Sequence, residues 1–235
     1  MRLTLIAEGS TRWHRLIKRW GVAFIIDDIL FDTFGRQDVF WKNIHRFKID
    51  ISRIKHVVIS HDDWDHIVGL RSFLQSNRNV SVLICRDSGE RIKDIVLNCG
   101  ASLFEADSPR EITKGIFSLG QMPADTARGI IYEQSIAVQS DKVISIITGC
   151  AHPGITVIVR RAIEYFGCKP YLVCGGFHMK DGSRPDNENI VQKLRTLGVE
   201  KVEPLHCSGS NACKIFSRYY GSDCINMNEG DVLEL

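Results

Sequence analysis

The stretch Val57–His66, which reads VVISHDDWDH, holds the most informative residues of the chain. Its apolar, β-branched start predicts a strand, and four side chains that can bind metal follow at once: His61, Asp63, Asp65 and His66. Alternate residues of an extended segment share a face, so His61 and Asp63 can face one metal ion. Once the chain turns into a helix, Asp65 and His66 are redirected and can serve a second ion.

This loop has two interpretations, a metal site or a polar loop that faces solvent. Two imidazoles and two carboxylates so close together are costly to bury unless a cation compensates their charge. The flanking sequence anchors the loop to the core, since a strand is predicted over Ile54–Ser60 and apolar residues at helical spacing, Ile67, Leu70 and Leu74, follow. These flanks favour the metal site.

The composition limits the classes of protein that need to be considered. The chain has 235 residues, of which 44% are hydrophobic and 25% charged, as is typical of a soluble globular protein. Its net charge of +2 is too small for wholesale attraction to nucleic acid or to a membrane surface, so neither is expected as a partner. The apolar stretch Val22–Ile26 is far shorter than a membrane span of ~20 residues, and Met1–Ile6 lacks the features of a signal peptide. We therefore expect a cytoplasmic protein.

The cysteines are expected to be free thiols. None of the eight shows Cys-x-x-Cys spacing, and a chain of this length can build its core without disulfides. Most of them are interpreted as small, buried hydrophobic residues. Cys150 and Cys207 stand apart, because each lies beside a histidine in a segment typical of a loop.

The order of predicted elements indicates an α/β (α+β) architecture. Strands come in two groups, each followed by helices, with hairpin turns at Asp27–Asp28 and 140–142. A helix is predicted over Ile155–Phe166, and another is predicted to be capped by Asp186. The pattern favours two mixed sheets packed face to face with helices outside, in one domain over residues 1–235, because no linker or repeat interrupts it.

The segment His61–His66 resembles the signature His-x-His-x-Asp-His of the metallo-β-lactamase superfamily, which also follows a strand. Ile29–Thr33 (ILFDT) is similar to an early Asp-Thr-Gly element of that superfamily. Four further segments resemble one branch, which includes proteins labelled as 7,8-dihydropterin-6-methyl-4-(β-D-ribofuranosyl)aminobenzene-5′-phosphate synthase-like. These segments are Glu133–Gln134, Ile147–Ile155 (ITGCAHPGI), Gly175–His178 (GGFH) and Pro204–Gly209 (PLHCSG).

The resemblance implies a four-layer αββα sandwich with two divalent metal ions at one edge of the sheets. His152 would complete the first site with His61 and Asp63, and His206 would complete the second with Asp65 and His66. Three more residues are placed at the site as indirect supports or as ligands. Asp32 is expected to orient the metal loop through hydrogen bonds, and the roles of Cys150 and His178 are left open.

Two departures from the superfamily pattern bear on the choice of metal. Asp63 stands where the signature has its second histidine, and a carboxylate shifts preference from zinc toward harder ions such as iron or manganese. The flavodiiron branch carries an acidic residue there and uses two irons. Cys150 follows Thr148–Gly149 where other branches have a bridging aspartate, so it is either a soft ligand or a packed thiol.

Three functions follow from the resemblance. The first is a metal-dependent hydrolase or related transferase for a small-molecule substrate that contains a phosphate or a pterin, with zinc as the expected metal. Asp65 would then bridge the ions or act as the catalytic base. The second is a diiron redox or oxygen-sensing protein, motivated by Asp63. The third is a degenerate, non-catalytic member that only binds a ligand.

The remaining histidines, tryptophans and basic residues have more ordinary interpretations. The histidines without ligand-spaced partners are expected to be structural or surface residues: His14, His45 and His56. The tryptophans are expected in the core or in pocket walls: Trp13, Trp20, Trp41 and Trp64. Four basic residues near the N-terminus could contact an anionic substrate: Arg12, Arg15, Lys18 and Arg19.

Overall fold

The computed structural model of the chain describes residues 1–10 and 19–235. The predictions for Arg12, Trp13, His14, Arg15 and Lys18 lie outside these residues. Within them, no helix combines the length and the apolar character needed to cross a membrane.

The N-terminal half supplies one sheet and its helices. In chain order the elements are β1 (Arg2–Gly9), β2 (Gly21–Ile26), β3 (Ile29–Phe31), α1 (Gln37–Arg46), β4 (His56–Val58), α2 (Trp64–Ile67), α3 (Leu70–Ser76), β5 (Ser81–Cys85), α4 (Glu90–Asn98) and β6 (Ser102–Ala106). The C-terminal β15 (below) joins them in a seven-stranded sheet of order β15-β1-β2-β3-β4-β5-β6. Strands β3 to β6 are parallel, so their carboxyl ends lie at one edge.

The C-terminal half supplies the second sheet. Its elements are β7 (Arg110–Thr113), β8 (Ile116–Ser118), β9 (Met122–Thr126), β10 (Gly129–Glu133), β11 (Ile136–Ser140), β12 (Val143–Thr148), α5 (Ile155–Phe166), β13 (Lys169–Gly176), α6 (Arg184–Thr196), β14 (Lys201–Leu205), α7 (Ser210–Tyr220) and β15 (Val232–Glu234). Six of these strands pair in the order β14-β13-β12-β11-β8-β7, and β9 pairs with β10 in a separate hairpin. Strands β12, β13 and β14 are parallel.

Three apolar clusters confirm the αββα layers. One contains residues of both sheets, such as Phe24 and Phe31 from the first and Ile147 and Leu172 from the second, so it lies between the sheets. A second cluster joins the first sheet to α1, α3 and α4, and a third joins the second sheet to α5, α6 and α7. Alternate side chains of a strand point to opposite faces of the sheet, and each sheet therefore contributes residues to two clusters.

Several local predictions are confirmed and others need correction. The hairpin at Asp27–Asp28 is present, and α5 ends as predicted at Gly167, whose φ of 62° suits a residue without a side chain. The prediction that Asp186 caps α6 is wrong. Ser183 is the N-cap, because its side chain accepts a hydrogen bond from the Asp186 amide, and Asp186 lies in the first turn.

Other corrections concern the metal loop and the thiols. The predicted strand Ile54–Ser60 is only three residues long, and the predicted helix over 67–74 is divided into α2 and α3. All eight cysteines are free, as expected, but only four are buried: Cys85, Cys150, Cys174 and Cys207.

Candidate metal centre

Five histidine rings form a continuous row where the loops after β4, β12, β13 and β14 meet. The ring centroids of His178 and His152 are 4.3 Å apart, and those of His152 and His61 are 4.7 Å apart. His61 and His66 follow at 4.2 Å, and His66 and His206 at 5.3 Å. The structure therefore brings together imidazoles that are up to 145 positions apart in the sequence, from His61 to His206.

Asp32 orients two of these rings. Its carboxylate accepts hydrogen bonds from the Ser60 amide and from the Ser60 hydroxyl, both at 2.7 Å, and it lies 2.6 Å from Nδ1 of His66. The Ser60 hydroxyl in turn lies 2.9 Å from Nδ1 of His61. Because the hydroxyl donates to Asp32, it can accept the proton of His61 Nδ1. Both rings then present an unprotonated Nε2 to the centre of the site.

The other two rings are held by residues of different elements. Nδ1 of His152 lies 2.9 Å from the buried carboxylate of Glu133. Nδ1 of His206 lies 2.9 Å from the Gly9 carbonyl oxygen and 3.1 Å from the Gly21 amide. Donation from His152 Nδ1 to Glu133 leaves Nε2 of that ring with a free lone pair, and the tautomer of His206 in which Nδ1 donates to Gly9 does the same. An imidazole whose Nδ1–H is bound to an acceptor is the usual form of a metal-ligating histidine.

Glu133 fixes the whole loop that carries Cys150 and His152. One carboxylate oxygen accepts the amides of Cys150 and Ala151, both at 2.8 Å, and the other accepts the His152 amide at 2.7 Å. Burial alone would raise the pKa of Glu133, but the hydrogen bond from His152 and the neighbouring histidines outweigh it and lower that pKa. Glu133 is therefore an ionised, fully buried support of the loop.

The centre of the site lacks the partners that buried polar atoms need. Among the described residues, Nε2 of His61 and Nε2 of His206 are buried and form no hydrogen bond. The site contains two groups of residues whose donor atoms, within each group, all lie within 4.8 Å of one another. The first group is His61, Cys150 and His152, and the second is His66, Cys150 and His206. The Cys150 thiol thus belongs to both groups, and its sulfur lies 3.4 Å from His66 Nε2.

Asp65 lies beside the second group. One of its oxygens is 3.3 Å from Nε2 of His206 and 3.4 Å from Nε2 of His66. Burial opposes ionisation of Asp65, yet the neighbouring His206 and His66 imidazoles outweigh it and lower its pKa. Burial likewise raises the pKa of the Cys150 thiol. A cation at the centre would stabilise both groups as anions.

Two glycines make room for this arrangement. A side chain at Gly149 would place Cβ 2.1 Å from the Ser60 hydroxyl and 2.9 Å from an Asp32 carboxylate oxygen, which the site needs in place. A Cβ at Gly176 would lie 2.3 Å from the Gly149 carbonyl oxygen. The loops around the site can converge because the backbone carries no side chain at these two positions.

The comparisons with known proteins concern the family and the fold. The family model of the metallo-β-lactamase superfamily matches residues 27–132. The solved structure of Tm1679, titled a metal-dependent hydrolase of the β-lactamase superfamily, is 28% identical, with a TM-score of 0.81 over 100% of this chain and 99% of that one. The resemblance to the metallo-β-lactamase superfamily is confirmed. The metallo-β-lactamase fold protein YhfI of Bacillus subtilis shares the fold at 11% identity, with a TM-score of 0.69 over 99% of each chain.

A curated relative lies in the branch that the sequence motifs indicate. This is the 7,8-dihydropterin-6-methyl-4-(β-D-ribofuranosyl)-aminobenzene-5′-phosphate synthase of Methanocaldococcus jannaschii, which is 24% identical over 265 aligned residues. The alignment covers 91% of this chain and 89% of the relative. The similarity thus extends over nearly the whole of both chains.

Asp63, the departure from the superfamily signature, has a partner that the sequence did not reveal. Both carboxylate oxygens contact Nη2 of Arg128, at 2.9 and 2.7 Å, and one of them lies 3.7 Å from Nε2 of His61. Arg128 belongs to the turn between β9 and β10, so this ion pair joins that hairpin to the metal loop. The neighbouring His61 imidazole is the largest cause that lowers the pKa of Asp63, and Arg128 adds to it.

The structure also places the remaining predicted residues. Trp20 packs edge-on against His206, with ring centroids 4.7 Å apart, but Trp64 is 52% exposed and is not a core residue. Arg19 forms an ion pair with Glu229. His45 is exposed, and the half-buried His56 contacts the Ser81 hydroxyl, away from the row of rings.

Sequence reasoning missed three residues at the site. Ser60 and Arg128 were given no role, and Glu133 was noted only for its resemblance to the branch. The signal for Glu133 was available, because an acidic residue directly before a buried strand must find donors. No comparable signal exists for Arg128, since its partner is 65 positions away.

Proposed function

We propose that this protein is a metal-dependent hydrolase or a related transferase that acts on a small substrate containing a phosphate or a pterin. One observation carries the proposal: four histidine rings gather around one thiol and one carboxylate, and Nδ1 of each ring lies 2.6–2.9 Å from an oxygen atom. Groups that served only to stabilise the fold would hydrogen-bond to one another, and Nε2 of His61 and of His206 do not.

The donor set fits two divalent ions. His61, His152 and Cys150 would hold the first, with Asp63 within reach, and a second group would hold the other: His66, His206, Cys150 and Asp65. Imidazole and thiolate are the ligands that zinc prefers, so Cys150 offsets the shift toward harder ions that Asp63 would bring. A pair of bound divalent ions would supply Lewis acidity and a lowered pKa for water.

The residues of the chain then have distinct tasks. Asp65 is ionised and can accept the proton of the attacking water or bridge the ions. Asp32 and Glu133 keep the rings in the tautomer that binds metal. His178, whose ring is exposed at the end of the row, is placed to donate a hydrogen bond to a substrate anion.

The relatives support the substrate class and leave the reaction type to be tested. Tm1679 is described as a hydrolase, whereas the relative from Methanocaldococcus jannaschii is named as a synthase whose product contains a pterin and a phosphate. Both reactions can use the same arrangement of residues, because each needs a group that accepts a proton beside a polarised substrate. We therefore include transfer as well as hydrolysis.

Metal analysis together with an activity assay tests this proposal. We expect protein purified without chelator to contain two zinc or manganese ions per chain and to cleave a phosphodiester such as bis-p-nitrophenyl phosphate. A strong chelator should abolish turnover, and the metal should restore it. Two irons with a visible spectrum would instead favour the diiron redox protein, and a chain without metal would favour the non-catalytic member.

The ion pair between Asp63 and Arg128 gives a further prediction. Replacing Arg128 by alanine removes a positive charge beside the first ion site and frees the Asp63 carboxylate. The guanidinium is 65% exposed and therefore screened, so we expect the affinity for zinc to rise only about threefold. Competition with a chromophoric chelator measures this change.

Arg2→Ala is the matched control, since Arg2 is an exposed arginine paired with Glu234 at the other end of β1. Its zinc affinity should equal that of the wild type. Unchanged or weaker zinc binding by Arg128→Ala would mean that Asp63 does not contribute to the first ion site.

A further inference from the structure

Three neighbouring parallel strands end in the same way beside the candidate metal centre. Strand β12 ends at Thr148, β13 at Gly176 and β14 at Leu205, and the residue two positions further on is Cys150, His178 or Cys207. The donor atoms of these last three residues lie within 4.8 Å of one another. The topology thus places two thiols and an imidazole at equivalent positions of adjacent loops.

The contacts in this group show that its thiols face each other and not the apolar core. The Cys207 sulfur lies 3.5 Å from the Cys150 carbonyl oxygen, and the His178 amide donates a hydrogen bond to that sulfur at 3.3 Å. Cys207 and Cys150 are only 2% and 5% exposed, yet neither belongs to an apolar cluster of the described residues. Cys174, by contrast, belongs to the cluster between the sheets.

The backbone around this group keeps its interior open. A Cβ at Gly176 would lie 2.8 Å from the Cys207 sulfur and 3.2 Å from the Cys150 Cα, so a side chain there would displace the thiol. His178 has a positive φ of 50°, a conformation that is uncommon without a compensating gain. The residue itself is exposed, whereas Cys150 and Cys207 are buried.

We propose that Cys150, His178 and Cys207 form a third metal site, distinct from the two ion positions of the proposed function, which takes a thiophilic divalent ion such as zinc or cadmium. Binding would release the two thiol protons, and the two thiolates would then balance the charge of the ion. Zinc–sulfur bonds of about 2.3 Å place tetrahedral ligands roughly 3.8 Å apart, so the donors need to move only slightly. Cys150 would be shared with the neighbouring centre.

Cadmium binding to the reduced full-length protein tests this site. We expect Cys207→Ala to bind one cadmium ion per chain fewer than the wild type. The thiolate-to-cadmium absorption in the ultraviolet should fall to about half, because Cys150 remains as a ligand. Cys174→Ala is the matched control, a buried thiol of the same strand group, and its cadmium stoichiometry and absorption should be unchanged.

Two more variants keep the test decisive. If Cys207→Ala does not fold, His178→Ala replaces an exposed ring and should weaken the binding of one cadmium ion at least tenfold without changing the circular dichroism spectrum. His61→Ala removes a ligand of the proposed catalytic pair and leaves the three residues of the third site intact. The thiolate-to-cadmium absorption of this variant should therefore persist. Wild-type cadmium stoichiometry and absorption in both Cys207→Ala and His178→Ala would overturn the third site, whatever the fate of the proposed activity.

Discussion

His66→Ala is expected to remove at least one metal ion per chain and to abolish turnover while the protein stays folded. His66 offers Nε2 to the second group of donors, and its ring joins Asp32 to the Cys150 sulfur. Asp32 loses one of its three hydrogen bonds, which costs about 2 kcal/mol, a tolerable part of the usual 5–15 kcal/mol of stability. Metal content by mass spectrometry and circular dichroism measure the two effects.

His56→Ala is the matched control for this experiment. His56 is half-buried and contacts the Ser81 hydroxyl, so its loss also removes a hydrogen-bonded imidazole from the first sheet. The His56→Ala protein should keep the metal content and the turnover of the wild type. A His66→Ala protein with wild-type metal content would show that His66 is not a ligand, and the assignment of the second ion site would fail.

Glu133→Ala is expected to have the largest effect on stability. The substitution leaves the amides of Cys150, Ala151 and His152, together with His152 Nδ1, without their acceptor. An unsatisfied buried donor costs about 1–3 kcal/mol, and water can reach some of these groups, so we expect a loss of about 4 kcal/mol and a fall in Tm of roughly 10 °C. Thermal unfolding followed by circular dichroism measures it.

The same substitution should also weaken metal binding, because the loop that presents Cys150 and His152 loses its support. Glu133→Gln is expected to be intermediate, since its amide oxygen can still accept two amides but its NH₂ group opposes His152. Glu111→Ala is the control, as Glu111 is exposed and accepts a hydrogen bond from the Gly115 amide. If Glu133→Ala and Glu111→Ala unfold at the same temperature, the loop that carries Cys150 and His152 is held by other contacts.

The sequence was sufficient to predict the architecture and the clustering of the candidate histidines. Hydrophobic alternation and hairpin turns predict strands locally, and the order of strands and helices limits how two sheets can pack. Hence the hairpin at Asp27–Asp28 and the helix over Ile155–Phe166 were predicted correctly. The motifs around His61, His152 and His206 follow strand ends, which explains why they could be placed at one edge.

Sequence patterns did not identify which of several similar residues caps a helix, pairs with a carboxylate or faces the core. Ser183 and Asp186 are both good N-cap residues, and only the backbone geometry selects Ser183. Asp63 could be assigned to an ion from its spacing, but the guanidinium of Arg128 comes from a hairpin of the other half of the chain. Trp64 was expected in the core or in a pocket wall, whereas it lies at the start of α2 and is 52% exposed.

Cys150 shows most clearly what sequence spacing leaves undetermined. Its neighbours in the sequence are compatible with a packed thiol and with a ligand. Only the fold brings its sulfur into both groups of histidines, through the support of Glu133 and the space left by Gly149. Such a position depends on contacts between loops that are distant in the chain, which no local pattern encodes.

The most direct test of the central claim is a crystal structure of the protein loaded with zinc, with anomalous scattering recorded at the zinc edge. Besides a peak at the proposed third site, we expect one anomalous peak about 2.0–2.3 Å from Nε2 of His61 and His152 and from the Cys150 sulfur, and another at the same distance from Nε2 of His66 and His206. A map from zinc-loaded crystals without peaks between these rings would contradict the claim that the four histidines form a metal centre.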